Sequence, residues 1–331
     1  MAVRNIGPYS AIPKELTEPQ GSASKVSHRA AYDRAGLRWD HIVDGKDAQM
    51  LRIGRRRFCL AAATAPLVAG ASISREEREI LAGGHKRAGD KLIVRGQLVK
   101  GMLAVPVALG SQPPILFEVA TVARGFVLRS EVAEHLGVKS GDTARSLSTT
   151  VADLPVALES ELRVLPSGWP LPQPLAGVMC LDAFGPLSAG LNFPAAELLL
   201  APVSLPPPDG RTVLGFSDPL HPTVPVSVGD VTFEAVVGTG QIRSPLLIVP
   251  EIAARIVTDQ IDDGEAFDGK RMVKVKKGRL VAPPRVGATA LSFAIAVSPP
   301  PDTFNNLGAP ALQNAALYID QRNKRIQIVT S

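Results

Sequence analysis

The side chains able to do chemistry in this chain are few, and their spacing excludes more than it suggests. Beyond residue 71 the histidines are His85, His135 and His221. None stands at the His-x-x-x-His or Cys-x-x-Cys spacing of a zinc site, so no metal is expected. His135 falls on the face of a short predicted helix and reads as a half-exposed surface residue. Cys180, inside the apolar run GVMCLDAF, is the only cysteine after Cys59, and a thiol buried among apolar neighbours is usually inert. There is no Gly-x-Ser-x-Gly elbow and no phosphate-binding glycine loop. Gly83-Gly84 reads as a helix stop, and no cofactor is expected. The remaining candidates are carboxylates. Two acids held close together can share one proton, so that one activates water while the other protonates the group being attacked. Glu118, Glu234, Asp182 and Asp320 are the acids to weigh for that role.

Strands must position these residues. Short alternating or β-branched runs recur (KLIVRGQLV, MLAVPVAL, ILFEVATV, VPVSVGDVTFEAVV, PLLIVP, RIQIV), separated by turn residues at short intervals. That is the pattern of an all-β sandwich or barrel protein. Two brief helices are predicted, Ser130–Gly137 with a serine cap and a closing glycine, and Pro250–Asp259 with proline in its first turn. The pieces come twice in the same order, over Val105–Gly137 and again over Val224–Ile256. Each copy has a Val-Pro-Val strand, a hairpin, an apolar strand ending in a threonine turn, a further strand and a short helix. A glycine-bearing strand and a closing strand follow each, in LAGVMCLDAFGPLSAGLNFPAAELLLAP and in NLGAPALQNAALYIDQRNKRIQIVTS. The proline-rich stretch Ala201–Val213 reads as a linker between them. A β unit used twice implies two lobes with a cleft between.

This order of elements is similar to the lobe of the retropepsin-like aspartic peptidases. Two such lobes in one chain resemble the single-chain arrangement of pepsin-type enzymes, over residues 90–331. The resemblance implies an all-β fold of two pseudo-symmetric aspartic-peptidase-like β-barrel lobes with short helices, 90–200 and 214–331, joined by the linker 201–213. In that family each lobe supplies an Asp-Thr-Gly turn. The two acids share a proton, the threonine hydroxyls bond across the interface, and the glycines let backbone approach closely.

Laid on this sequence, the first turn is Ala120-Thr121-Val122 and the second Gly238-Thr239-Gly240. Both threonines and the second glycine are kept; neither acid is. Glu118 stands two residues before Ala120, about 6–7 Å back along a strand, out of reach of the same water. Glu234 stands four before Gly238 and is farther still. Both read as solvated or capped glutamates, and Asp182 and Asp320 fall in the closing-strand segments, where the family has structural acids. The resemblance thus implies a silent or strongly impaired site in a cleft that accepts an extended peptide through strand-edge hydrogen bonds. Two other classes stay open: an active aspartic-type endopeptidase with acids elsewhere, and a structural or envelope-interaction protein that uses no cleft.

The start of the chain is different in kind. The chain has 36 Lys+Arg against 31 Asp+Glu, but residues 1–71 hold 11 basic and 6 acidic residues, leaving 25 of each beyond. A neutral body gives no electrostatic reason to expect nucleic acid or anionic lipid as a partner. Arg55-Arg56-Arg57-Phe58 resembles the Arg-Arg-x-Phe core of twin-arginine signals. The apolar run FCLAAATAPLVAGA follows, and Ala69-Gly70-Ala71 is a small-x-small cleavage site before Ser72. At about 14 residues the run is shorter than the roughly 20 a membrane span needs. Residues 50–71 therefore read as a twin-arginine signal peptide and not a stable anchor, with the body periplasmic or secreted. Residues 1–49 are polar, lack apolar periodicity and read as unstructured, or as untranslated where synthesis starts at Met50. Cys59 lies in the signal, so the body keeps Cys180 alone and forms no intramolecular disulfide. A body of about 260 residues buries enough surface without one.

Replacing both Arg55 and Arg56 by lysine is expected to hold the protein in the cytoplasm, because an ammonium does not mimic the planar guanidinium. Cell fractionation and N-terminal sequencing check this. Normal export of the double variant would refute the twin-arginine reading, and a mature N-terminus far from Ser72 would refute the cleavage site.

Overall fold

The computed structural model describes residues 84–122, 125–139, 147–152, 154–156, 162–165, 171–240, 244–267, 272–298 and 304–330. Residues 1–49, Met50, the signal motif Arg55, Arg56 and Phe58, the cleavage pair Ala71 and Ser72, and Gly83 lie outside the described residues. The described chain is predominantly β, with two short α-helices among the described residues.

Two sheets carry the threonine turns. The first contains β1 (Met102–Leu109), β2 (Ile115–Ala120), β3 (Phe126–Leu128) and β4 (Gly177–Cys180). β1 and β2 form an antiparallel hairpin with Val105 opposite Phe117. β4 then returns between β2 and β3, parallel to the one and antiparallel to the other. A strand covered on both faces has no polar side to show, and so MLAVPVAL is a nearly continuous buried run instead of an alternation. Gly177 is required where β4 slots in, because a Cβ there would stand 2.1 Å from the carbonyl oxygen of Val127.

The second sheet contains β5 (Thr223–Val228), β6 (Val231–Gly238), β7 (Leu246–Leu247) and β8 (Asn306–Gly308). β5 and β6 form the hairpin, and β8 returns between β6 and β7, parallel to β6 and antiparallel to β7. Here one face is wetter. Val224, Val226 and Val228 are buried, while Thr223, Pro225 and Ser227 between them are half-buried, the period-two pattern of a sheet with one core face. The same pairing order, a hairpin and then a parallel strand inserted beside it, is present in both sheets.

The helices α1 (Ser130–Leu136) and α2 (Pro250–Ile256) follow β3 and β7, and each departs from its expected span at one end. Ser130 does not cap α1. Arg129 holds the cap position with extended backbone and no side-chain capping bond, and Ser130 is already helical. At the other end Gly137 closes the helix as expected, with φ of 68° and its N–H on the carbonyls of Ala133 and Glu134. α2 stops at Ile256, three residues short of the expected Asp259. The β-branched pair Val257-Thr258 opens a long strand, Val257–Phe267, that pairs with Met272–Leu280. Its register sets Asp263 opposite Lys276 at the border of the sheet, and charge of this kind discourages edge pairing with other chains.

A third sheet binds the two halves of the chain. Its order is His85–Ala88, Lys91–Arg95, Glu197–Ala201, Ser188–Asn192, Ala315–Asp320, Arg325–Thr330 and Val213–Gly215. The join is the antiparallel pairing of Ser188–Asn192 with Ala315–Asp320. The proline-rich stretch 201–213 beside it is tied down along its length. The N–H of Leu205 donates to Asp320 Oδ2 at 3.1 Å, Asn323 Nδ2 donates to Ser204 Oγ at 3.0 Å, and Ala288 N–H donates to the carbonyl of Arg211 at 2.7 Å. One continuous apolar core contains Val105, Phe117 and Met179 together with Val226, Phe233 and Leu307.

Candidate functional site

β2 and β6 end beside one another. Thr121 and Thr239, each the residue after its strand, bond to one another's backbone across 118 residues of sequence. The N–H of Thr121 donates to Thr239 Oγ1 at 3.1 Å, and the N–H of Thr239 donates to Thr121 Oγ1 at 3.1 Å. Each hydroxyl in turn donates to a carbonyl of the opposite strand, Thr239 to Val119 at 3.1 Å and Thr121 to Val237. The residues are 2% and 1% exposed, so two hydroxyls satisfy four backbone groups that have lost water. A hydroxyl suits the task because it donates once and accepts as well. The inserted strands flank the turns, with Cys180 paired to Ala120 and Gly308 paired to Gly238.

Neither Ala120 nor Gly238 supplies an acid, and the room for one is taken. Ala120 is buried with Val127, Val178 and Cys180. A Cβ on Gly238 would lie 2.5 Å from Asn306 Nδ2 and 2.9 Å from its Oδ1. The amide at the start of β8 thus fills the space a side chain at 238 needs. Val122 is half-buried, and Gly240 is exposed.

Glu118 overturns its sequence reading. It is neither solvated nor capped: it is 3% exposed, and its Oε1 has no hydrogen-bond partner. Its register partners on the two adjacent strands are Ala104 of β1 and Val178 of β4, both apolar. Burial in these surroundings pushes the carboxyl up from 4.5 to about 7, because desolvation penalises the charged form. The side chain also reaches the other sheet. Glu118 Oε1 stands 2.9 Å from the point where a Cβ on Gly240 would begin.

The other candidates have structural duties. Glu234 is exposed. Asp182 lies in the 3-10 turn Leu181–Phe184, beyond the strand, and both its oxygens accept the N–H of Gly125 at 3.0 Å. Asp320 accepts the N–H groups of Leu205 at 3.1 Å and Asn323 at 3.0 Å. His135 is exposed and His221 Nδ1 bonds Asp218 at 2.8 Å. Cys180 is buried, and that burial pushes its thiol well up, away from the reactive thiolate. Among the described residues no group of three or more His, Cys, Asp or Glu is placed to hold a metal, and no helix is long and apolar enough to cross a membrane.

Sequence reasoning passes over Asn306, because the segment NLGAPAL is matched by its glycine alone. For Glu118 a signal exists: it is a lone acid in ILFEVATV, a run without a polar face.

Thr121→Val or Thr239→Val keeps the shape but orphans two buried backbone groups. At about 1–3 kcal/mol for each orphan, a loss of about 2–6 kcal/mol in urea unfolding is expected. The double variant should cost less than the sum, because either change already breaks the shared network. No change at either site would mean that the bonds do not form in solution.

The Glu118 carboxyl gives stability a pH dependence of definite sign. Below pH 4.5 it is protonated both folded and unfolded. Between 4.5 and about 7 the unfolded chain releases its proton while the folded chain keeps it, so stability falls as pH rises. The fall reaches up to about 3 kcal/mol and levels off above 7. Glu118→Gln should flatten that part of the stability curve, and an unchanged slope would show that the group does not titrate there.

No protein-family model matches the chain and no curated protein matches its sequence, so what the site does has to be read from the paired threonines and the side chains packed around them.

Proposed function

We propose that the protein is an exported, two-lobed aspartic-peptidase-like scaffold, with lobes at 90–200 and 214–331, whose site is catalytically silent and whose cleft binds an extended peptide. One observation carries this reading. The two threonine turns are bonded reciprocally, as that family's turns are, yet Ala120 and Gly238 stand where the acids would be and the Asn306 amide occupies the second place. Peptide hydrolysis of this type needs one ionised and one protonated carboxyl on a single water. Glu118 is one carboxyl, and one group cannot be base and acid to the same water. The endopeptidase alternative therefore lacks a second acid at the turns.

The purely structural alternative draws on the burial of Ala120, Thr121, Gly238 and Thr239. Binding is favoured over it by Gly240, which is exposed beside the buried threonines, while Glu118 Oε1 lies 2.9 Å from the point where a Cβ on it would stand. Apart from its chain neighbours, the atoms within 4 Å of that point belong to the Glu118 carboxyl. An extended chain laid over such a turn can pair with backbone, as in strand addition generally.

The purified protein should show no pepstatin-sensitive cleavage of a denatured protein substrate from acid to neutral pH. Combining Ala120→Asp, Val122→Gly and Gly238→Asp should leave it silent, because the new Cβ at 238 meets Asn306 Nδ2 at 2.5 Å. Adding Asn306→Ala clears that contact, and weak activity is expected in that set alone. Cleavage by the unmodified protein that survives Glu118→Gln would overturn the silent-site reading. Hydrogen exchange tests binding: a bound extended peptide should slow exchange over residues 118–122 and 236–240, and no slowing with any peptide would overturn the cleft.

A further inference from the structure

We propose that the buried Glu118 carboxyl, beneath the exposed turn at Gly240, selects a cationic group on the bound peptide, the ammonium of lysine or the guanidinium of arginine. The inference rests on the peptide-binding reading above and says which side chain the cleft prefers.

Three features point to a cation. Glu118 Oε1 is buried and has no donor, and a buried acceptor left unpaired costs free energy that a ligand's N–H recovers. A charged donor recovers most, since charge-assisted bonds are about twice as strong as neutral ones. The carboxyl also lies directly beneath an exposed turn. Gly240 is exposed, and the carboxyl of Glu118 lies 2.9 Å from the place its Cβ would take. A side chain at 240 would press on that carboxyl. The backbone there does not itself demand glycine, since Gly240 is not among the residues with positive φ.

Among the described residues, the adjacent strands bring no compensating charge to Glu118. Its register partners Ala104 and Val178 are uncharged. The titratable group coupled to it on β4 is Cys180, whose thiol burial keeps protonated; Asp182 and Arg163 act on that thiol in opposite directions. With the free carboxyl half-protonated near pH 7, binding a cation below that pH expels a proton. Affinity for a cationic peptide then rises about tenfold per pH unit up to about 7 and is flat above it. A neutral carboxyl donating to a peptide carbonyl would give the opposite slope.

The test uses nonapeptides blocked at both ends, identical except for a central lysine, arginine or norleucine, with binding read by fluorescence anisotropy from pH 5 to 8. A fourth peptide, with norleucine and a free N-terminus, reports whether an α-ammonium serves as well. Lysine and arginine peptides are expected to bind at least tenfold tighter than blocked norleucine at pH 8 and to lose that lead toward pH 5. Glu118→Gln and Gly240→Ala should each bring them down to the norleucine level. In the unmodified protein, the 13C signal of the Glu118 carboxyl should titrate at least one pH unit lower when saturated with the lysine peptide, a readout that needs no variant. Equal binding of lysine and norleucine, or a preference that survives Glu118→Gln, overturns the inference and leaves the peptide cleft standing. Failure of every peptide to bind overturns the cleft and the inference together.

Discussion

Two threonine hydroxyls hold the centre of this molecule in register. Thr121 and Thr239 each accept the other's N–H and donate to a carbonyl of the opposite strand, so β2 and β6 must end at the same level. The constraint spreads outward. β4 and β8 are each inserted beside one of these strands, and their pairings set Cys180 against Ala120 and Gly308 against Gly238. Closing a loop of 118 residues costs conformational entropy that four hydrogen bonds do not supply alone. The third sheet and the tied segment 202–212 share that cost by fixing both halves of the chain to one another elsewhere.

Around this satisfied network stand two groups that are not satisfied, Glu118 Oε1 and Asn306 Oδ1. A low-dielectric interior strengthens completed hydrogen bonds and penalises incomplete ones, so these groups weaken the place they occupy. A leucine at position 118 would fit the apolar run ILFEVATV and carry no such penalty. A buried carboxyl without a partner, facing the turn of the other sheet, is therefore poor structural design. It is good design for a group whose partner arrives from outside, which is how breaches of local rules at functional positions are usually read.

Much of this architecture is legible in the sequence, and the failures are specific. The strands are visible because period-two alternation and buried apolar runs survive in short segments. The threonine turns are visible because each closes an apolar strand at the same place in a repeated order. The helix ends are less so. Ser130 has the right type for a cap but sits one residue too far along, and the β propensity of Val257-Thr258 overrides the helical pattern before Asp259. Glu118 and Asn306 are misread or missed for one reason. Burial belongs to the packing of several strands at once, and residue type at a single position reports it only statistically. Residue type alone assigns an acid to solvent, although the neighbours of Glu118 on both sides are apolar.

The threonine network also explains how a proposed peptidase-like scaffold could lose its chemistry and keep its shape. The bonds that set the register run between hydroxyls and backbone, and none passes through positions 120 or 238. An acid at either position would add mutual repulsion and desolvation cost to a buried site; alanine and glycine add neither. With no side chain at position 238 the space beside it is open to a neighbour, and Asn306 fills it; in the proposed reading, one substitution would therefore not restore an acid there. What stays is the backbone geometry at the ends of β2 and β6, the part that would hold an extended chain. Among the described residues the Glu118 carboxyl lies beside the exposed turn, and in the proposed reading its charge decides what that turn accepts.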